Sequence, residues 1–407
     1  MDVLWFGDLV VESGFGRIGN EVCKRLILRG HQVVGIGMQY TGYPHALGFH
    51  IWPTNVPDLW ALCTEVINSI RFGPSGKRPD VVVCCQDFPY SVSLFRDCRI
   101  DWENIKQIII TPIDGEPVFD EWIEIAKFVN ATMVISQFGI EALRKRGVHA
   151  YHCPPGVNSA QFYPPTLEQK AYVRGKAGIA PDAFIIGMAA MNQGRKNVPA
   201  TMEAFKEFAL DKPNAKLYLD MDKISPAGWK LTKLGPNDSR GLQQEIGLRD
   251  DQVIYRQDML EKGLVELRER YWLMDVHGVL AYREGFGIPL IEGMACGIPS
   301  FALDWCSGTE IMEGVRGILI ARQPEMRYGT WGNAMDADPV VPDLVAKLNE
   351  LYHNATYRAF LGEQGKNWAT QRTWDKAADA VEAVLKDVVN GSQGYITELM
   401  ARSTSNA

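Results

Sequence analysis

Short apolar runs alternate along the chain with stretches whose apolar positions recur every three or four residues. Val3 to Gly7 is the first run. Ile18, Val22, Leu26 and Ile27 then share a helical face, and Val33 to Ile36 forms the next run, so the chain opens as strand, helix, strand. The alternation returns in PDVVVCC (79–85), IKQIIIT (105–111), the helix-like FDEWIEIAKFV (119–129), TMVIS (132–136) and QFGIEALRKRG, where Gly147 suits a C-cap. These strands are apolar throughout rather than at every second residue, the pattern of a parallel sheet covered by helices on both faces.

The periodicity stops at 154–168, where PPGVNSAQFYPPTLEQ carries four prolines, and this marks a domain junction. A second series follows, with strands expected at AFIIGMA (183–189), AKLYLDM (215–221), QVIYR (252–256), VHGVLAY (276–282), IPSFALD (298–304) and GILIA (317–321). A last amphipathic helix is expected near 375–389, ahead of a polar tail that reads as loose. The fold class is α/β: two doubly wound, Rossmann-like domains, with ligand expected in a central cleft facing the carboxyl ends of the strands. The expected boundaries are 1–160, 161–375, and 376–407 for a helix and tail that pack back on the first domain.

Composition agrees with two domains, because 407 residues with 46% hydrophobic content exceed what one core of ordinary size takes up. A formal net charge of -7 shows no dominant basic surface, so nucleic acid is not indicated by charge, though it is not excluded. The 8 cysteines are scattered, several in apolar runs and none in C-x-x-C spacing, which reads as buried thiols in a reducing compartment. Met1 leads straight into an apolar run without a basic leader, and no stretch approaches the ~20 apolar residues of a membrane span. A cytoplasmic protein is the expectation. The seven histidines form no ligand spacing, and no metal site is expected.

The strongest chemical signal is YREGFGIPLIEGMACGIPS (282–300). A strand ends near Tyr282, a glycine-rich turn follows, and Pro289 suits the first position of a helix. The amides of Gly285, Phe286, Gly287 and Ile288 would then offer an anion site, with Glu284 in the turn and Glu292 one helical turn inside. Carboxylates beside a phosphate site are unfavourable unless they accept hydrogen bonds from sugar or ribose hydroxyls. A plain strand-to-helix turn with two solvated acids has the same spacing, but glycines, proline and both acids together favour a binding turn.

This segment resembles the E-x7-E signature of retaining GT-B glycosyltransferases, especially glycosyltransferase family 4, usually close to EGFGxPxxEAMAxGxPV. Here glycine, Gly293, stands where the family prefers alanine. By that resemblance Glu284 would contact the donor sugar, Glu292 the ribose hydroxyls, and the turn amides the sugar or diphosphate. The resemblance runs in pieces from about 10 to 320. It implies that Gln257, Met259 and Leu260, after the QVIYR strand, hold the nucleobase and that Glu310 in SGTEIM lies near the donor.

In GMAAMNQGRKN (187–197), Arg195 and Lys196 sit at a loop-to-helix transition where two cations could neutralise a diphosphate. A solvated basic pair is the plain alternative, and the resemblance favours the clamp, Lys196 matching better. The family commonly has an arginine at the position of Met191, and Arg195 is the candidate to replace it. In SGFGRIG (13–19), Gly14, Phe15 and Gly16 open a G-x-G-x-x-G spacing. A nicotinamide fold would want those glycines at the strand end and an acid closing the second strand, yet Asp8 to Ser13 intervene and that strand ends in Gly37-Met38-Gln39. The segment better resembles the glycine loop that approaches donor phosphate and acceptor. Asp220-Met221-Asp222 matches a metal-binding D-x-D but is read as structural. Asp114 in TPIDGEP and Asp87 after VVVCCQ end first-domain strands, where each suits either a sugar contact or a turn.

The expected activity is transfer of a hexose or related sugar from a UDP- or GDP-linked donor to an acceptor hydroxyl. The resemblance implies retention by front-face attack, without a metal or other cofactor. Polysaccharide, lipid, small molecule and modified nucleobase in viral DNA all fit as acceptor. A nucleotide-sugar epimerase, a glycogen-type phosphorylase and a non-catalytic nucleotide-sugar-binding protein are the alternatives.

Overall fold

A computed structural model describes residues 1–74, 76–235, 238–329 and 334–391. The chain forms two compact units, one of 1–156 together with the described chain from Arg372 on, the other of 157–371. The polar tail from 392 lies outside the described residues.

The first unit holds β1 (Asp2–Gly7), α1 (Gly14–Leu28), β2 (Gln32–Gly37), β3 (Ile51–Pro53), α2 (Leu59–Ser69), β4 (Val81–Cys85), α3 (Phe88–Val92), β5 (Lys106–Thr111), α4 (Asp120–Phe128), β6 (Ala131–Val134), α5 (Gln137–Lys145) and β7 (Tyr151–His152). Its strands pair in parallel in the order β3-β2-β1-β4-β5-β6-β7, so the order reverses between β1 and β4. Every residue of β4 is buried, as are Ile108, Ile109 and Ile110 of β5, which is why these runs show no polar alternation. Each buried valine or isoleucine side chain among them contributes roughly 1.5–3 kcal/mol by leaving water. The glycines of α1 serve packing: a Cβ on Gly16 would lie 2.1 Å from the Val11 carbonyl, and one on Gly19 2.7 Å from that of Asp8. Ser13 caps the helix by accepting from the Gly16 amide.

The second unit holds α6 (Leu167–Ala177), β8 (Phe184–Ala189), α7 (Val198–Phe208), β9 (Ala215–Asp220), α8 (Leu242–Ile246), β10 (Val253–Tyr255), α9 (Arg256–Glu261), α10 (Leu267–Trp272), β11 (Val276–Val279), α11 (Ile288–Ala295), β12 (Ser300–Leu303), α12 (Ser307–Met312) and β13 (Ile318–Ile320). These six strands run parallel in the order β10-β9-β8-β11-β12-β13, and the reversal falls between β8 and β11. Next come β14 (Arg322–Tyr328), β15 (Met335–Pro339), α13 (Val341–His353) and α14 (Ala355–Ala369). Strands β14 and β15 pair antiparallel outside the main sheet and lie beyond the strands expected from the sequence. MDADP alternates apolar Met335, Ala337 and Pro339 with two aspartates, RQPEMRY is largely exposed, and ion pairs from Arg327 to Asp336 (3.2 Å) and Asp338 (3.1 Å) join the two strands.

The last helix, α15 (Trp374–Asn390), belongs to the first unit and packs on α1. Arg25 pairs with Asp375 at 2.9 Å, Arg29 with Asp379 at 2.6 Å and Glu382 at 3.0 Å, and His31 meets Glu382 at 3.0 Å. Burial alone would raise the Glu382 carboxyl, but Lys386, His31 and Arg29 hold it down at about 2. Its stabilising contribution is therefore complete above its ordinary value of 4.5 and is lost as pH falls from there toward about 2. Glu382→Gln is expected to lower the thermal midpoint at pH 7 by about 2–5 °C, with the gap from the unsubstituted protein closing as pH drops. Calorimetry across that range checks it; equal midpoints at pH 7 would dismiss the clamp.

Candidate functional site

The loops leaving the carboxyl ends of β8 and β11 diverge at the strand-order reversal of the second sheet, where a doubly wound fold opens a crevice. The β8 loop ends in a single tight turn, Gly194–Lys196, and Asn197 then adopts φ +50° and accepts from the Ala200 amide to start α7. The β11 loop carries 280–287. The Tyr282 amide donates to the Arg195 carbonyl at 2.8 Å and zips the two loops together. Side chains 195, 196 and 284 meet as a result.

Lys196 Nζ forms an ion pair with Glu284 Oε2, and Arg195 Nη1 reaches Glu284 Oε1 at 3.4 Å and the Arg283 carbonyl at 3.2 Å. Lys196 is buried, the Glu284 side chain is 14% exposed and that of Arg195 35%. Burial would raise the Glu284 carboxyl, but the two cations beside it win and hold it at about 2. It is ionised at neutral pH, and the trio carries a net single positive charge.

The turn around Glu284 is fixed from below. Ser307 Oγ on α12 donates to the carbonyls of Glu284 (2.8 Å) and Phe286 (3.1 Å). Gly287, at φ +92°, caps α11, and a Cβ there would fall 2.9 Å from Leu290. Pro289 is the second helical residue, one later than the spacing suggests. A cavity of about 10 Å³, room for roughly one water, lies beside Glu284 and is bounded by Ala281, Leu290, Leu303 and Trp305.

Glu292 lies inside α11 and is 3% exposed, and the Tyr271 hydroxyl of α10 donates to it at 3.0 Å. Glu310 is half-buried on α12, where Arg316 binds its carbonyl at 3.0 Å. Gln257, Met259 and Leu260 fall on α9 beyond β10, two strands from β8: Gln257 donates to Asp222 at 3.1 Å, Met259 is buried and Leu260 is 39% exposed. Both carboxylates of the D-x-D are engaged by arginines, Asp220 by Arg270 at 3.2 Å and Asp222 by Arg256. Met191 is 58% exposed, and Arg195 is the arginine that reaches Glu284.

In the first unit Gly14, Phe15 and Gly16 form the first turn of α1, while Asp87 and Asp114 are half-buried in loops after β4 and β5. Sequence reasoning passed over Asp8, at the end of β1 on the reversal side of that sheet. Asp8 is 3% exposed and accepts from Ser13, Gln86 (3.0 Å) and Gln39 (3.4 Å). Burial raises its carboxyl above the ordinary value, although these hydrogen bonds pull the other way. The available signal was an acid closing an apolar strand next to the glycine segment.

Residues 184–328 match the family model described as Glycosyl transferases group 1. The chain is 27% identical over 239 residues to a D-inositol 3-phosphate glycosyltransferase of Stackebrandtia nassauensis, covering 58% of this chain and 48% of that protein. It is 26% identical over 240 residues to a protein of the same name from Streptomyces bingchenggensis, covering 58% and 47%. The chain thus spans about half the length of the curated relatives it matches. Among solved structures it resembles sucrose-phosphate synthase of Thermosynechococcus elongatus, with TM-score 0.71 and 15% identity over 96% of this chain and 100% of the other. It also resembles HepE of Anabaena in complex with UDP-glucose, with TM-score 0.67 and 13% identity over 95% and 100%. At such identities the likeness establishes the fold.

The glycine at 293 has a local cause. His277 on β11 is fully buried, and a Cβ on Gly293 would sit 2.6 Å from its Nδ1. The Ala189 amide donates to His277 Nε2 at 3.3 Å, which leaves the ring proton on Nδ1, and burial pushes the imidazole down to about 3. Because this value lies below the ordinary 6.5, the ring stabilises the fold fully above 6.5 and lowers stability as pH falls from there toward about 3. Gly293→Ala is expected to cost about 1–3 kcal/mol by overpacking, and to cost far less in a His277→Ala background. Denaturant titration of the two single variants and the double variant decides it. Simple additivity rules out the steric explanation.

Proposed function

With residues 184–328 matching the family model of Glycosyl transferases group 1 in a chain of GT-B fold, we propose that the protein is a glycosyltransferase that takes a nucleotide diphosphate-sugar as donor. In this reading it moves a hexose or related sugar from a UDP- or GDP-linked donor to an acceptor hydroxyl, with retention and without a metal. HepE, a fold neighbour, is described in complex with UDP-glucose, which supports a uridine donor as the first to try.

The observation that carries the reading is the convergence of Arg195 and Lys196 on Glu284 at the reversal between β8 and β11. Transfer breaks the bond between the anomeric carbon and a phosphate oxygen and makes one from that carbon to the acceptor oxygen. Negative charge grows on the leaving diphosphate, and two fixed cations stabilise it without reorganising. The acceptor proton passes to the departing phosphate oxygen, so no side chain has to carry it. A carboxyl held at about 2 keeps no proton at neutral pH, which makes Glu284 an acceptor of hydrogen bonds from sugar hydroxyls rather than an acid. Glu292 and the α9 segment are assigned the ribose and nucleobase.

Glu284→Ala is expected to remove 10²-fold or more of turnover, measured as nucleotide diphosphate release from UDP-glucose and GDP-mannose with and without acceptor. Lys196→Ala should act in the same direction. Release unchanged by Glu284→Ala would end the assignment. Acceptor-independent conversion of the donor would favour an epimerase, and thermal stabilisation without release a binding protein.

A further inference from the structure

The family match ends at residue 328, at the last residue of β14, so the second strand of the hairpin lies beyond it. β14 is largely exposed, with Tyr328 at 72%. Asp336 on β15 is buried and faces inward: its Oδ1 lies 2.6 Å from Nε of Arg283, itself 4% exposed. Arg327 meets the other oxygen of Asp336 at 3.2 Å and lies 4.4 Å over the Tyr282 ring. The backbone follows the side chains. The Ala337 amide donates to the Tyr282 carbonyl at 3.2 Å, while the Tyr282 amide donates to the Arg195 carbonyl at 2.8 Å. Residues 282 and 283 are thereby gripped by the hairpin on one side and by the turn bearing Arg195 and Lys196 on the other. The next residue is Glu284, and the Arg283 carbonyl accepts from Arg195.

A buried ion pair is a poor source of net stability, because desolvation offsets its attraction, and its better-attested use is to select one arrangement over others. We propose that Asp336 and Arg283 are positioning residues, and that the β14–β15 hairpin sets through them the turn from which Glu284 meets its two cations. The proposal rests on the reading of Glu284 as the donor contact. A turn released from the hairpin lets that carboxylate drift, and misplacement of about 1 Å is enough to slow a reaction by up to 10²-fold.

Two measurements on the full chain test it. In Asp336→Asn, hydrogen exchange of peptides covering 280–287 is expected to quicken while α1 and α15 keep their protection. With whichever of UDP-glucose and GDP-mannose gives the faster nucleotide release, kcat is expected to fall about tenfold, with donor KM within about threefold. Asp336→Glu, which keeps the charge, should recover part of the loss, and it serves as the test variant if Asp336→Asn is insoluble. Glu382→Gln, which lowers stability elsewhere, controls for general destabilisation and should leave kcat alone. Unchanged exchange at 280–287, or unchanged kcat in an Asp336 variant alongside an inactive Glu284→Ala, overturns the proposal. If Glu284→Ala itself stays active, the donor-contact reading is what fails, and exchange still decides whether the hairpin holds the turn.

Discussion

An ionised carboxylate taken out of water between two cations is the constraint on which the second unit is organised. Desolvating each charge costs several kcal/mol, which is recovered only if the partners are held where the attraction is largest. Lys196 and Arg195 cannot be so held by long side chains alone. The backbone bond between Tyr282 and Arg195, the serine hydroxyl beneath Glu284 and the left-handed glycine at 287 remove the freedom that would let the charges separate. The parallel sheet makes this arrangement available, because only at the β8–β11 reversal do adjacent strands send their loops apart.

Much of this was legible in the residues. The apolar runs gave the parallel strands of both units because those strands are buried on both faces, and the E-x7-E segment with its glycines and proline gave the turn that carries Glu284. Arg195 and Lys196 were legible as a pair of cations at a strand end; their meeting with Glu284 was not, because that depends on β8 and β11 being neighbours though 86 residues lie between Ala189 and Val276. The hairpin was hidden because β14 is largely exposed, β15 is only 5 residues long, and ion pairs help to join them. Asp8 was hidden for the opposite reason, since a polar residue at a strand end looks solvated until the fold covers it. Gly293 looked like a departure from a motif, and its cause, a buried histidine on the neighbouring strand, is sixteen residues earlier in the chain.

Two kinds of polar interior are therefore present. Around Glu284 the charges are partly open, with the Arg195 side chain 35% exposed. At Asp336 and Arg283 the pair is closed, with side chains 7% and 5% exposed, and Arg283 directly precedes Glu284 in the chain. Under the proposed reading the same chemistry serves contact in one place and alignment in the other, and exposure distinguishes the two.

The return of α15 to the first unit has a consequence for how the chain is made. Arg25 and His31 of the α1 region find their partners 350 and 351 residues later in sequence, after the whole of the second unit. During synthesis the amino-terminal unit must wait with a basic helix edge uncovered until the ribosome has finished everything in between, and its completion is a late, non-local event. A chain cut short just before residue 374 would carry every strand of the second unit and a first unit that lacks its closing helix.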